Sequence, residues 1–401
     1  MFEIKPIFNA LLRSKAGALM LLIQVAITVA IVSNAAFIIQ DRIEYLQQDT
    51  GYPEDEVFSF TVFTYSDDID LIQKFEENET MLRNLPGVIN AVAASEVPLS
   101  GSGSASSFQL DADPTDSKSV RAAYSGGDEN FLDTLGVSVS EGRNFNPDEV
   151  IVSQDLSKIP TVIIVSRAFL EEMFPEGNGL GNTVYMGPAP LKIVGVVDKM
   201  MGPWLKDRAA DNYIIFPFLQ PNNFQKFIVR ANAGEREAIM RQIEDIMLED
   251  YNKRVITNVR GMDEAKANYN ASDILMMRML VVLIVVLVLV TALGIFGLTV
   301  FNISKRTKQI GTRRALGARK SAIIRYFLVE NSIICTAGLV IGSIAALYLG
   351  KALLQEYSLP ELNNWYIVAT ALFVLVISLL SVVMPANKAA NISPSVATRS
   401  I

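Results

Sequence analysis

Residues 16–39 form a run of 24 residues without a charge, flanked by Arg13 and Lys15 before it and by Asp41 and Arg42 after it. As a helix rising 1.5 Å per residue, the run is long enough to cross a hydrocarbon core of roughly 30 Å. A cleavable signal is the competing reading, with Ser33-Asn34-Ala35 as a loose cleavage site. The apolar stretch outlasts an h-region, however, and continues through Phe37, Ile38 and Ile39. Three further runs of spanning length follow at 279–303, at 327–349 with Glu330 as its one acid, and at 365–384, closed by Pro385. A chain with four such runs is a polytopic α-helical membrane protein.

Between the first and second runs lie residues 41–278, of globular composition, with 38 acids against 21 bases. The short connections carry the opposite sign. Residues 304–326 hold eight bases and no acid, and with the two terminal segments they bring the total to 13 bases against Glu3 alone. Basic short loops stay on the cytoplasmic side, so both termini and the 304–326 segment are predicted there and residues 41–278 outside. The predicted boundaries are a cytoplasmic amphipathic helix at 1–15, with Phe2, Ile4, Ile7, Phe8, Leu11 and Leu12 near helical spacing, then spans at 16–40, 279–303, 327–350 and 365–384. The remainder comprises the large domain at 41–278, a cytoplasmic segment at 304–326, a short outer loop at 351–364 and a cytoplasmic tail at 385–401.

The large domain reads as α+β. Strands are predicted at 57–65, 88–97, 120–124, 162–165, 183–186, 191–197 and 213–216, and helices at 67–84, 129–135 and 235–251. Residues 41–100 make a βαβ-type part, the Gly/Ser stretch at 100–107 a connector, 101–250 a second α+β part and 251–278 a return to the membrane. The helical pattern from Asp263 is expected to run on into the second span, and Ile39, Ile43 and Leu46 extend the first. Two spans would then project as stalks.

Half the residues are apolar and 19% charged, with a mean hydropathy of +0.31. The chain has no histidine and one cysteine, which excludes histidine-based hydrolysis, most zinc sites and an internal disulfide. A net charge of −7 argues against nucleic acid as a partner. No phosphate-binding loop occurs: Gly350-Lys351 is followed by Ala352, and Gly317 is separated from Lys320. The acid pairs and triplets at Glu54-Asp55-Glu56, Asp67-Asp68 and Glu76-Glu77 read as solvated faces, and Cys335 as a packing residue. No catalytic, cofactor-binding or metal-binding residues are assigned.

Gly338, Gly342, Ala346 and Gly350 recur every four residues in the third run and predict a close helix–helix contact; Ala26, Ala30 and Asn34 do the same in the first. Glu330 is an intramembrane acid that would either reach water or accept a cationic partner. The segment containing Lys305, Arg306, Thr307, Gln309, Ile310, Gly311, Arg313, Arg314, Ala315, Leu316, Gly317 and Ala318 has apolar residues and glycines that a solvated basic loop does not need. It is predicted as a short amphipathic helix under the membrane, with a face for another protein; a lipid anchor is the competing reading.

This segment, followed by Phe327-Leu328-Val329-Glu330, resembles the cytoplasmic signature E-R-T-x-E-I-G-x-x-[KR]-A-L-G-A of MacB/FtsX-like permeases of ABC transporters. Leu85-Pro86-Gly87-Val88, Phe131 to Gly136, Glu141 to Phe145, Phe174-Pro175, Leu180 to Thr183 and Val194 to Val197 extend the resemblance over essentially the whole chain. Lys305 and Gln309 stand where the family usually has glutamates. The resemblance implies a type VII, mechanotransmission permease of the bacterial inner membrane without its own ATPase domain. It also implies two copies of an ABC ATP-binding subunit holding ATP and Mg, a second permease, identical or paralogous, a periplasmic adaptor and membrane lipid as partners. Efflux is the implied activity; an FtsX-like regulator of cell-wall hydrolases and a lipoprotein-extraction permease of the LolCDE type are the alternatives.

Overall fold

The computed structural model describes residues 15–66, 69–113, 117–357 and 361–392. In chain order the elements are α1 (Lys15–Leu46), β1 (Val57–Thr64), α2 (Leu71–Arg83), β2 (Val88–Ala94), β3 (Ser104–Gln109), β4 (Ser119–Gly126), α3 (Phe131–Thr134) and β5 (Val139–Gly142). They continue with β6 (Ile151–Val152), β7 (Val162–Ser166), α4 (Arg167–Met173), β8 (Thr183–Met186), β9 (Ala189–Val197), β10 (Tyr213–Phe216), β11 (Phe218–Leu219) and β12 (Phe224–Ala231). The chain ends through α5 (Arg236–Asp250), β13 (Arg254–Gly261), α6 (Met262–Tyr269), α7 (Ala271–Ala315), α8 (Lys320–Tyr357) and α9 (Asn364–Ala390). Two units result: residues 48–271, and a helical unit made of 1–47 with 272–401.

In the first unit, strand β1 alternates Phe58, Phe60 and Val62 toward a core with Ser59 and Thr61 on the opposite face. Phe60 stacks on Phe227 of β12, with centroids 5.5 Å apart. Helix α2 starts where Asp70 accepts the amide hydrogens of Ile72 and Gln73 at 2.9 and 3.2 Å. It buries Phe75 and Leu82 beside Ile239, Ile243 and Met247 of α5. The sheet order is β13-β1-β12-β2, with β12 antiparallel to both β1 and β2. The β1-α2-β2 and β12-α5-β13 units therefore interleave as a split βαβ pair, a ferredoxin-like arrangement.

Everything from residue 95 to 223 is inserted between β2 and β12 of that sheet. Here β9, β7, β10, β4, β3 and β8 are paired in order, and β8 pairs back to β9, closing a small barrel with β5 on its flank. Phe108, Val120, Ile163, Phe169, Leu191, Ile214 and Phe216 fill it. The Ser166 hydroxyl at the start of α4 donates to Asp211 O at 2.6 Å and accepts from Tyr213 N at 3.0 Å, fixing helix to strand.

Several expectations change. The division at residue 100 fails because β12 and β13, which had no assignment, return to complete the first sheet; contacts between residues distant in sequence decide the boundary. The Gly/Ser stretch contains β3, whose pairing with β4 and buried Phe108 override its composition. Residues 251–278 contain β13 and α6 besides the approach to the membrane. The run expected to continue from Asp263 is interrupted at Asn270, whose side chain donates to Lys266 O at 2.9 Å and caps α6. Helix α4 was missed.

In the helical unit, α1, α7, α8 and α9 each have the length and hydropathy to cross a membrane. Large apolar side chains such as Leu289, Leu293, Leu372 and Leu380 face outward, while the interior combines Leu21, Val25, Ile295, Ile334 and Val374 with small and polar residues such as Ser33, Thr291 and Ser378. Helix α1 continues to Leu46, past the first apolar run. Helix α9 does not end at Pro385 but runs to Ala390; the proline is buried, and its missing amide hydrogen removes only one bond from the ladder. The amphipathic helix expected at 1–15 falls, apart from Lys15, outside the described residues, as do Asp67 and Asp68.

Candidate functional site

The segment expected as a separate amphipathic helix is instead the end of α7. The second span continues without interruption for 45 residues, from Ala271 to Ala315, because residues 304–315 contain no proline and only one glycine, Gly311, which is buried. The stop is at Gly317, with φ +91°. Its amide donates to Arg314 O at 3.1 Å and that of Ala318 to Arg313 O at 3.0 Å, a Schellman closure in which glycine takes the left-handed conformation. Arg314 Nη1 adds a bond to Ala318 O at 2.7 Å. Helix α8 begins at Lys320, so α7 and α8 form a tight hairpin.

Its two arms are held by an arginine–aromatic–carboxylate set. Arg306 Nη1 on α7 donates to Glu330 Oε2 on α8 at 2.9 Å and lies 3.3 Å from the Tyr326 hydroxyl. Arg313, two turns on, places its guanidinium 5.2 Å from the centre of the Tyr326 ring. Ile310, Ile323 and Phe327 are buried between the arms and belong to one core with Val382, Ala386 and Ala389 of α9. Glu330 is only 4% exposed, so the arginine partner, not water, is its environment. Its other oxygen, Oε1, has no hydrogen-bond partner among the described residues.

Outside this clasp the hairpin is solvent-facing. Lys305, Lys308, Gln309, Thr312, Arg313, Ala315, Arg319 and Lys320 are exposed, and Leu316 at the tip is 83% exposed. Lys305 lies over the Phe301 ring at 4.4 Å; Thr307 and Thr312 return their hydroxyls to Ile303 O and Lys308 O. The tip is thus an exposed apolar side chain flanked by exposed basic residues. Sequence reasoning missed Tyr326, the residue that links Arg306 to Arg313; the seven-residue spacing of those arginines, which puts them on one face, was the available signal.

The small-residue positions of α8 meet α1. A Cβ on Gly342 would stand 2.7 Å from Ala26 O, and one on Gly338 3.0 Å from Leu22 O. Ala346 is fully buried, with its carbonyl accepting from Asn34 Nδ2 at 3.1 Å, and Gly350 lies near Asn34 and Leu362. Helix α7 joins α1 through Thr28 and Thr291, whose hydroxyls are 2.8 Å apart, and through Arg42 and Asp273 at 3.8 Å.

Residues 18–246 match the family described as MacB-like periplasmic core domain, and residues 281–394 that described as FtsX-like permease C-terminal. The chain belongs to the MacB/FtsX-like permeases of ABC transporters. This permease is 23% identical to the uncharacterized ABC transporter permease YknZ of Bacillus subtilis, over 69% of this chain and 70% of that one. It is 28% identical to the pyoverdine export ATP-binding/permease protein PvdT of Pseudomonas aeruginosa, over 69% of this chain and 42% of PvdT. The macrolide export ATP-binding/permease protein MacB of Chromobacterium violaceum is 23% identical over 69% of this chain, which spans 43% of that protein. Among solved structures, the periplasmic region of MacB from Actinobacillus actinomycetemcomitans aligns at 16% identity and a TM-score of 0.34, covering 56% of this chain and 97% of that one.

Proposed function

We propose that this permease sits in the bacterial inner membrane with both termini and the α7–α8 turn in the cytoplasm, and that it couples ATP hydrolysis in partner subunits to motion of the domain at 48–271, driving efflux. The observation that carries the reading is the build of α7. One helix of about 67 Å, far longer than a bilayer core, begins where the large domain ends and stops at the Leu316 knob. Pushing the knob moves the far end, because the Schellman turn and the Arg306–Glu330 contact hold α7 and α8 as one piece.

In this reading two ATP-binding subunits hold Mg-ATP, and closure around it pushes on the hairpins of two permeases, identical or paralogous. Differential contact of the large domains in the two states biases their arrangement, and a periplasmic adaptor relays it. The relatives named for pyoverdine and macrolide export support export as the activity. Extraction from the native membrane in mild detergent tests the assembly. The expected result is co-purification with an ATP-binding subunit and vanadate-sensitive turnover; recovery of this chain alone, without nucleotide hydrolysis, would overturn the reading.

A further inference from the structure

Between α8 and α9 lies an open groove of about 460 Å³, lined by Leu328, Val329, Ser332, Val376, Leu380 and Val383. The Ser332 hydroxyl is spent on Leu328 O at 2.7 Å, so the groove is apolar in practice. From Val376 to Val383 it follows about 10 Å of helix, less than half the roughly 30 Å thickness of a bilayer core. One end is different. Arg325 precedes Leu328, Val329 and Ser332 by three, four and seven residues and shares their face of α8; Asn387 follows Val383 by four, with Lys388 beside it on α9. All three are exposed and stand at the end nearest the α7–α8 turn.

An apolar groove with Arg325, Asn387 and Lys388 toward one end matches a ligand with a long apolar tail and an anionic head. A helix from a second copy is the poorer occupant: close helix contacts need small residues, and this groove presents leucine and valine, while the Gly338–Gly342 stripe of α8 is already occupied by α1. We propose that the groove binds one acyl chain of an anionic glycerophospholipid whose phosphate is held by Arg325, Asn387 and Lys388. The site requires only that α8 and α9 cross a bilayer, and it stands or falls independently of any ATPase partner.

The test uses the full chain in nanodiscs containing phosphatidylglycerol with a mid-chain photoreactive group, and maps the labelled peptides. Labelling concentrated on residues 328–332 and 376–383 is expected, falling about fivefold in Arg325→Gln and lost in Ser332→Phe, which fills the groove; Leu380→Phe serves if the first variant does not fold. Equal labelling by the phosphatidylcholine analogue would overturn the headgroup assignment. Labelling spread evenly over outward residues such as Leu289 and Leu293 of α7, or crosslinks at the groove to a second copy, would overturn the site.

Discussion

Two carboxylates buried in different regions of this molecule each face an arginine, and they are balanced differently. In the large domain, Glu79 accepts from the Ala93 amide at 2.7 Å and from Arg83 at 3.2 Å, but Arg83 also donates to Asp128 at 2.9 Å. One guanidinium serves two acids. Burial, with Asp128 repulsion next and Glu129 last, pushes the Glu79 carboxyl up to about 8 against the opposing Ala93 and Arg83 contacts. In the helical unit Arg306 meets no second acid among the described residues and divides its contacts between Glu330 and the Tyr326 hydroxyl. The first arrangement leaves a group that gains or loses a proton near neutral pH, joining α2 to the segment after β4. The second joins two arms of a lever, and its charge balance suits a rigid part.

The largest effect should come from unbalancing the lever. Arg306→Met leaves Glu330 buried without a cation, at a cost of about 3–5 kcal/mol; thermal unfolding in detergent should fall sharply, and Glu330→Met added to it should restore most of the loss. A comparable loss, about 3–5 kcal/mol, is expected for Phe227→Ala in the four-stranded sheet, but there the protease resistance of the α7–α8 hairpin should be unchanged. That contrast separates the two regions.

Gly342→Leu drives a side chain into Ala26 at the α1–α8 contact and should cost about 1–3 kcal/mol, read as lost crosslinking between cysteines placed on α1 and α8. Smaller still is the titration of Glu79. Its folded pKa lies above the unfolded value, so the folded state binds more protons between about pH 4.5 and 8, and stability falls as pH rises through that window. Glu79→Gln should flatten that slope and raise the unfolding midpoint at pH 9; an unchanged slope would show that Glu79 is not the titrating group. Last, Leu316→Asp should change stability by less than about 0.5 kcal/mol, yet abolish ATP-driven activity in the assembled complex.

The spans were legible because 16–39 and its three counterparts are apolar beyond any soluble need, and the Gly338 stripe because close packing demands small residues at helical spacing. What stayed hidden depended on distant partners. Strand β12, Phe224–Ala231, gains its place only by lying between β1 and β2. Ser104–Gln109 looks like a linker until β4 pairs with it. In the hairpin, the basic run and its helical character were evident, but its continuity with the span was not, since the charge suggested a separate helix lying under the membrane where helix propensity carries α7 on to the Gly317 stop. Tyr326 lay at the margin of the segment and drew no attention, for its role appears only when Arg306 and Arg313 are folded against it. A double Arg313/Arg314→Glu change, natural to try from sequence, would also disturb the Tyr326 stacking and the Ala318 bond. Leu316 is the cleaner probe.

The central claim is that the Leu316 knob is where another subunit pushes. A photoreactive benzoylphenylalanine at position 316, in cells bearing the native complex, tests it directly, with the same residue at Leu372 on the outward face of α9 as the control. The account predicts an ultraviolet-dependent adduct with an ATP-binding subunit from position 316 and none from 372. Adducts with lipid alone at 316 would contradict it and make the basic hairpin a membrane anchor.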